Sequence, residues 1–216
     1  GFGWEIGPFE IWELLGIDKV VRQMESLGVP PAKWVYDLLA SGKRSFYGYS
    51  DGIRTYHDIP SGQMSAQTGS QGLVLLDACR EKTVWKNSGC RLIDIGDGIL
   101  NLEFRTKMNT IGGEVIQGVN MAVEIAEKDF RGLVIANEGQ NFSAGANLGM
   151  IFMLAVEQEY DELDMAIRMF QNTMMRLRYS SVPVVTAPHG LTLGGGCEMN
   201  LHADKVCAAA ETYIGL

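Results

Sequence analysis

Apolar positions recur along this chain with two periods, one helical and one of strand type, and the switches between them mark its elements. Ile17, Val20, Val21, Met24 and Leu27 fall at helical spacing, and Gly28 with Pro30-Pro31 supplies a stop, which predicts a helix over 17–27. Trp34, Val35, Leu38 and Leu39 predict a second short helix over 32–40, ended by Gly42. Residues 45–49 are aromatic, and Asp51-Gly52 between Tyr49 and Ile53 is a turn signal, so a small hairpin or extended tail is expected there. Residues 60–72 are rich in Ser, Gly and Gln and read as linker. Residues 73–80 suit a short helix or strand, and periodicity does not choose between them.

A longer pattern begins near Arg91. Leu92, Ile93 and Ile95, the turn Gly96-Asp97-Gly98, and then Ile99, Leu100, Leu102 and Phe104 predict a hairpin. Val115, Ile116, Val119, Ala122, Val123 and Ala126 predict a helix over 113–127, and Leu133-Val134-Ile135-Ala136 a buried parallel strand. After a glycine-containing loop at 141–149, the acidic run 157–164 suits a helix N-terminus, with Leu163, Ala166, Ile167, Phe170, Met174 and Leu177 on one face. A strand over 184–187, a loop over 188–196, a short helix over 197–203 and a third strand over 205–210 complete the order. Alternating strands and helices make this an α/β domain. The expected organisation is 1–59 as a small, mainly helical segment, 60–90 as linker and 91–216 as the α/β domain.

Composition narrows the function classes. The net charge of −8 disfavours generic nucleic-acid binding, which needs a basic stripe, but leaves room for a phosphorylated small molecule held by a few cations and helix N-termini. No apolar run reaches membrane-spanning length; 150–156 is too short and runs into acidic residues. Residues 1–7 lack a basic and apolar leader, and Gly1-Phe2-Gly3-Trp4 reads as the middle of a loop, so the chain is expected to be a cut-out of something longer. Cys79, Cys90, Cys197 and Cys207 form no C-x-x-C pair and, with three histidines, no zinc pattern; reduced thiols in a cytoplasmic protein are the expectation, with no metal.

Two loops are placed for chemistry. Phe142-Ser143-Ala144-Gly145-Ala146-Asn147-Leu148 and Gly190-Leu191-Thr192-Leu193-Gly194-Gly195-Gly196-Cys197-Glu198 each follow a strand and feed a helix. Glycines before a helix let backbone approach a ligand, and the first N–H groups of a helix have no partner within it. Two such N–H groups converging on one oxygen make an oxyanion hole, beyond the carboxyl ends of parallel strands where α/β folds bind ligands. A glycine run alone is more often a flexible turn. Glu198 reads as a general acid/base beside a polarised carbonyl, or as a helix-dipole or solvent-facing charge. His202, four residues on, reads as packed or hydrogen-bonded. Asp204 is expected to tie down the turn after its helix. Arg105 and Lys107 read as solvated cations, with phosphate contact as the alternative. Met150, Met153 and Met165 read as adaptable core or pocket lining.

From about Arg91 onward the sequence resembles the enoyl-CoA hydratase/isomerase (crotonase) family, through the 142–148 motif and His189-Gly190-Leu191-Thr192-Leu193-Gly194-Gly195-Gly196-Cys197-Glu198. The resemblance implies a crotonase-like spiral of ββα units, truncated at its C-terminus, that assembles as a homo-oligomer. It implies that the N–H groups of Ala146 and Gly195 form the oxyanion hole for an acyl-CoA thioester, and that Glu198 is the first catalytic glutamate. Ala144 and Lys107 become candidate contacts to CoA, which belongs to the substrate; hydration needs no cofactor. Asn147 stands where the family commonly has Asp, which removes a charge but no N–H donor. A second glutamate is expected just past Leu216. Residues 1–59, through Gly1-Phe2-Gly3-Trp4-Glu5-Ile6-Gly7-Pro8-Phe9 and Lys43-Arg44-Ser45-Phe46-Tyr47, resemble the C-terminal helical domain of 3-hydroxyacyl-CoA dehydrogenases. That implies a fused β-oxidation enzyme with an NAD-binding domain upstream. The functional expectation is hydration of trans-2-enoyl-CoA; double-bond isomerisation and a non-catalytic acyl-CoA-binding or scaffold module are the alternatives.

Overall fold

The computed structural model describes residues 6–50, 52–69 and 72–215. It divides into two units, Gly1–Ala78 and Cys79–Leu216. Gly1-Phe2-Gly3-Trp4-Glu5, Asp51 of the expected turn, and Leu216 lie outside the described residues.

The first unit carries helices α1 (Pro8–Leu15), α2 (Ile17–Ser26) and α3 (Lys33–Ala40), then an antiparallel sheet in the order β1 (Tyr47–Ser50), β2 (Ile53–Asp58), β3 (Gln63–Ala66). Helices α2 and α3 fall where the apolar spacing predicts them. Their buried residues Ile17, Val21, Val35 and Leu38 meet Phe46 in one small core, with Trp12, Trp34 and Tyr47 packed against it. Helix α1 carries no periodic signal because none of its residues is buried; local capping defines it instead. Pro8 opens it and the Glu10 carboxylate accepts from Gly7 N at 2.8 Å. Glu13 accepts from Ser45 Oγ, Phe46 N and Tyr47 N, tying α1 to the start of β1.

The described residues of 60–90, expected as linker, include regular elements. They contain β3, a 3₁₀ turn over Leu76–Lys82, and β4 (Thr83–Lys86). Strand β4 pairs antiparallel with β5 (Cys90–Asp94), and its Trp85 packs on the core of the second unit. One aromatic anchor and a backbone ladder hold an edge strand whose other apolar residue, Val84, is exposed.

The second unit continues with β6 (Ile99–Phe104), α4 (Gly113–Asp129), β7 (Gly132–Ile135), α5 (Leu148–Val156), α6 (Tyr160–Arg178), β8 (Val184–Thr186), β9 (Leu191–Leu193), α7 (Gly195–His202), β10 (Lys205–Val206) and β11 (Tyr213–Gly215). Its six-stranded sheet has the order β10-β8-β7-β6-β5-β4, antiparallel from β4 to β6 and parallel from β6 to β10. Asp97, at φ 54°, makes the β5–β6 turn. Val115, Val119, Ala122, Val123 and Ala126 of α4 bury against Leu92, Leu100, Leu102, Leu133, Ile135 and Val184 of the sheet, as the helical period requires. In parallel β6, β7 and β8 the face with Leu100, Leu102, Leu133, Ile135 and Val184 is buried, while Asn101, also buried in β6, donates its Nδ2 to Ala136 O at 3.2 Å.

Further expectations are corrected. Loop 188–196 contains β9, and β11 lies beside it. Strand β10 is two residues long rather than extending to Ala210. Met150, Met153 and Met165 are exposed, not core, and in α6 only the C-terminal half buries its face, through Thr173, Met174 and Leu177, while Ile167 is exposed.

Candidate functional site

The two glycine loops meet through backbone. Ser143 N donates to Leu191 O at 3.0 Å and Leu193 N donates to Ser143 O at 2.9 Å, so the first loop runs parallel to β9. On the far side of β9, β11 is also parallel, with Gly194 N donating to Gly215 O at 2.9 Å. Beyond this ladder the loops touch at Gly145 and Gly194. A Cβ on Gly145 would sit 2.7 Å from Leu193 O and 3.5 Å from Gly194 Cα, and the two residues have φ of 88° and 50°. Only glycine adopts that backbone without strain and lets the chains come so close.

The residues that follow, Ala146 and Gly195, carry N–H groups that no acceptor among the described residues takes. Peptide planarity fixes their directions. In a trans peptide the C=O and N–H point opposite ways. Gly145 O accepts from Ile111 N at 2.8 Å, so Ala146 N–H points away from Ile111. Gly194 O accepts from Glu198 N at 2.9 Å along the α7 axis, so Gly195 N–H points out of the helix N-terminus. Its neighbours Gly196 and Cys197 likewise precede the first intrahelical bond and add to the positive end of the helix. Phe170 of α6 and Ile111 close over Gly195; a Cβ there would lie 3.0 Å from the Phe170 ring and 3.2 Å from Ile111 Cδ1.

Glu198 is half-buried in the first turn of α7. His202 is spoken for: its Nδ1 lies 2.7 Å from Glu198 O, a hydrogen bond within the helix. Asp204 accepts from Val184 N at 2.8 Å and so fixes the turn between α7 and β10. Asn147 caps α5, its Oδ1 accepting from Met150 N at 3.3 Å, a role an amide performs as well as a carboxylate.

Lys107 and Ala144, far apart in sequence, come to one place. Lys107 is exposed at the start of a 3₁₀ turn over Lys107–Asn109, and Ala144 N donates to Met108 O in that turn at 3.1 Å. Met108 and Asn109 hold φ of 55° and 51°, two consecutive non-glycine residues in the left-handed region, a strained arrangement that clusters at functional sites. The spacing of the sequence carries no sign of this turn, nor of Ile111 and Phe170 at the mouth of the helix.

A cleft of about 520 Å³ opens in the first unit, lined among others by Phe9, Glu10, Trp34, Arg54 and His57. The two glycine loops lie in the second unit, apart from the residues that line this cleft. Among the described residues no group of three His, Cys, Asp or Glu side chains is arranged to hold a metal ion, and no helix is long and apolar enough to cross a membrane.

A family model described as enoyl-CoA hydratase/isomerase matches residues 94–216, more than half of the chain. The chain belongs to that family. The whole chain is 43% identical to a Bacillus subtilis (strain 168) protein named "Probable 3-hydroxyacyl-CoA dehydrogenase" and spans 27% of that protein's length. Among solved structures, an enoyl-CoA hydratase from Polaromonas sp. JS666 is 26% identical, with TM-score 0.54 over 58% of this chain and 49% of that one. One from Bacillus anthracis, 22% identical, shares the fold with TM-score 0.54 over 60% of this chain and 50% of that one. The α/β architecture of the second unit is thus the fold of this hydratase/isomerase family.

Proposed function

We propose that the second unit hydrates trans-2-enoyl-CoA thioesters, with the N–H groups of Ala146 and Gly195 holding the thioester oxygen and Glu198 acting as acid/base. The observation that carries this reading is the backbone contact between Gly145 and Leu193-Gly194, directly before two unpartnered N–H groups aimed off the ends of their loops. Negative charge grows on the thioester oxygen as an enolate forms, and two fixed donors stabilise it more than they stabilise the ground state. Water adds at C3 and a proton is delivered to C2. In this reading Glu198 shares the water activation and proton transfer with a second acid. Ala144 and Lys107 hold the CoA part of the substrate at the 107–109 turn, where one exposed cation meets phosphate.

The name and length of the Bacillus subtilis relative support a longer polypeptide that also oxidises 3-hydroxyacyl-CoA with NAD. No G-x-G-x-x-G motif occurs in this chain, so its residues are assigned no part in binding NAD. Exposed Leu148, Phe152, Met153, Val156 and Met165 support a homo-oligomer in which this apolar surface is covered.

The test is Glu198→Gln in the full-length protein. Hydration of crotonyl-CoA should fall by about 100-fold or more while CoA-thioester affinity holds, as expected for loss of a general acid/base. An unchanged hydration rate refutes the assignment. Conversion of 3-enoyl-CoA to 2-enoyl-CoA without hydration would make the domain an isomerase instead.

A further inference from the structure

We infer that Ser143 is a positioning residue whose hydroxyl sets the Ala146 donor and couples it to the 107–109 turn. This rests on the oxyanion reading above and extends it. Ser143 is fully buried, and every polar group it has is engaged. Its backbone N–H and C=O pair with Leu191 and Leu193 of β9. Its Oγ donates to Asn109 O at 2.7 Å and accepts from Gly145 N at 3.1 Å. Gly196 of α7 packs so closely that a Cβ there would be 2.8 Å from Ser143 Cβ. One side chain therefore touches the turn assigned to CoA, the loop bearing Ala146 N–H, and the helix that begins at Gly195.

The bond to Gly145 N is the consequential one. The N–H of Ala146 belongs to the peptide on the other side of the Gly145 Cα, and glycine at φ 88° has little intrinsic preference to hold that peptide in one orientation. Three bonds hold it: Ser143 Oγ at the Gly145 N–H and Ile111 N at the Gly145 C=O, and, on the far side of Ala146, Asn147 N donating to Ile111 O at 3.3 Å. Ser143 Oγ also bonds the C=O of Asn109, which carries left-handed φ and is further tied by its Nδ2 to Asn141 O at 2.9 Å. A shift of that turn when CoA binds reaches the Ala146 peptide through two hydrogen bonds sharing one oxygen. A serine kept only for packing would not need both.

The test is made in the full-length protein with Ser143→Ala and, as a variant that keeps a near-serine shape and a weak hydrogen-bonding group, Ser143→Cys. The readout is the carbonyl stretch of enzyme-bound, carbonyl-labelled butyryl-CoA, a saturated thioester that cannot be hydrated, measured beside crotonyl-CoA kinetics. Wild type should lower the bound stretch relative to free thioester. Ser143→Ala should move it back toward the free value and lower kcat about 10- to 100-fold, the scale of a sub-ångström misplacement. KM and butyryl-CoA affinity should stay within about twofold, which marks an interaction strengthened in the transition state. Ser143→Cys should fall between the two, and it decides the matter if the alanine variant does not fold. A wild-type shift retained in full in the folded variants, with unchanged kcat, overturns this inference alone. No shift in wild type overturns the oxyanion reading and this inference with it.

Discussion

Gly145→Ala is the sharpest perturbation the structure offers, because the atoms it meets are backbone. The added Cβ would lie 2.7 Å from Leu193 O and 3.3 Å from Leu193 C, while ordinary contact begins at 3.4 Å, so the loops must part by about 0.7 Å. No side-chain rotamer can absorb this. Alanine at φ 88° adds about 1–2 kcal/mol of left-handed strain, and overpacking about 1–3 kcal/mol more. A destabilisation of about 2–5 kcal/mol is expected in urea titration of the unit. The separation falls between the two proposed donors, so kcat for crotonyl-CoA should drop about 10- to 100-fold, beyond what lost stability explains at temperatures where the variant is folded. Gly113→Ala is the control: it sits at the first position of α4, where a Cβ meets nothing within 4 Å, and both stability and kcat should hold. A Gly145→Ala variant with wild-type kcat would refute the idea that this backbone contact sets the site.

Two further outcomes follow from electrostatics and burial. The Arg176 guanidinium bonds both oxygens of Glu127, and Ser181 N donates to the same carboxylate, holding it at about 2, below its ordinary 4.5. A lowered folded pKa means this stabilisation is complete above about pH 4.5 and is lost as pH falls toward 2; Arg176→Met should therefore cost about 1 kcal/mol at pH 6 in urea titration and little at pH 2. Burial, then the charges of Glu114 and Glu103, push the Cys90 thiol up to about 12, so iodoacetamide at pH 8 should label exposed Cys207 readily and Cys90 only on unfolding, as mass spectrometry of digested protein would report.

The sequence is most legible where burial is periodic. The 92–104 hairpin and α4 follow their patterns because one face of each is covered. Helix α5 escaped notice because Leu148–Val156 is apolar at nearly every position and buries none, so no period betrays it. Strands β9 and β11 have three residues each and exist through parallel partners remote in sequence, which no local signal announces. Glu198 is read from its place after the glycine run, whereas Ala146, Gly195, Ala144 and Lys107 come from the family resemblance. Ser143, Asn109, Ile111 and Phe170 acquire their place only when the loops close on each other.

Helix α5 begins two residues after Ala146, and none of its residues is buried, whereas the Ala146 peptide is anchored to Ile111 and the Ser143 segment before it to β9. The last anchor is Asn147, whose backbone N–H donates to Ile111 O at 3.3 Å. Everything beyond it up to α6 can thus be lengthened, shortened or re-sequenced with little penalty to the pair of amides. Such a division lets a lineage retune what the site accepts without rebuilding what it does.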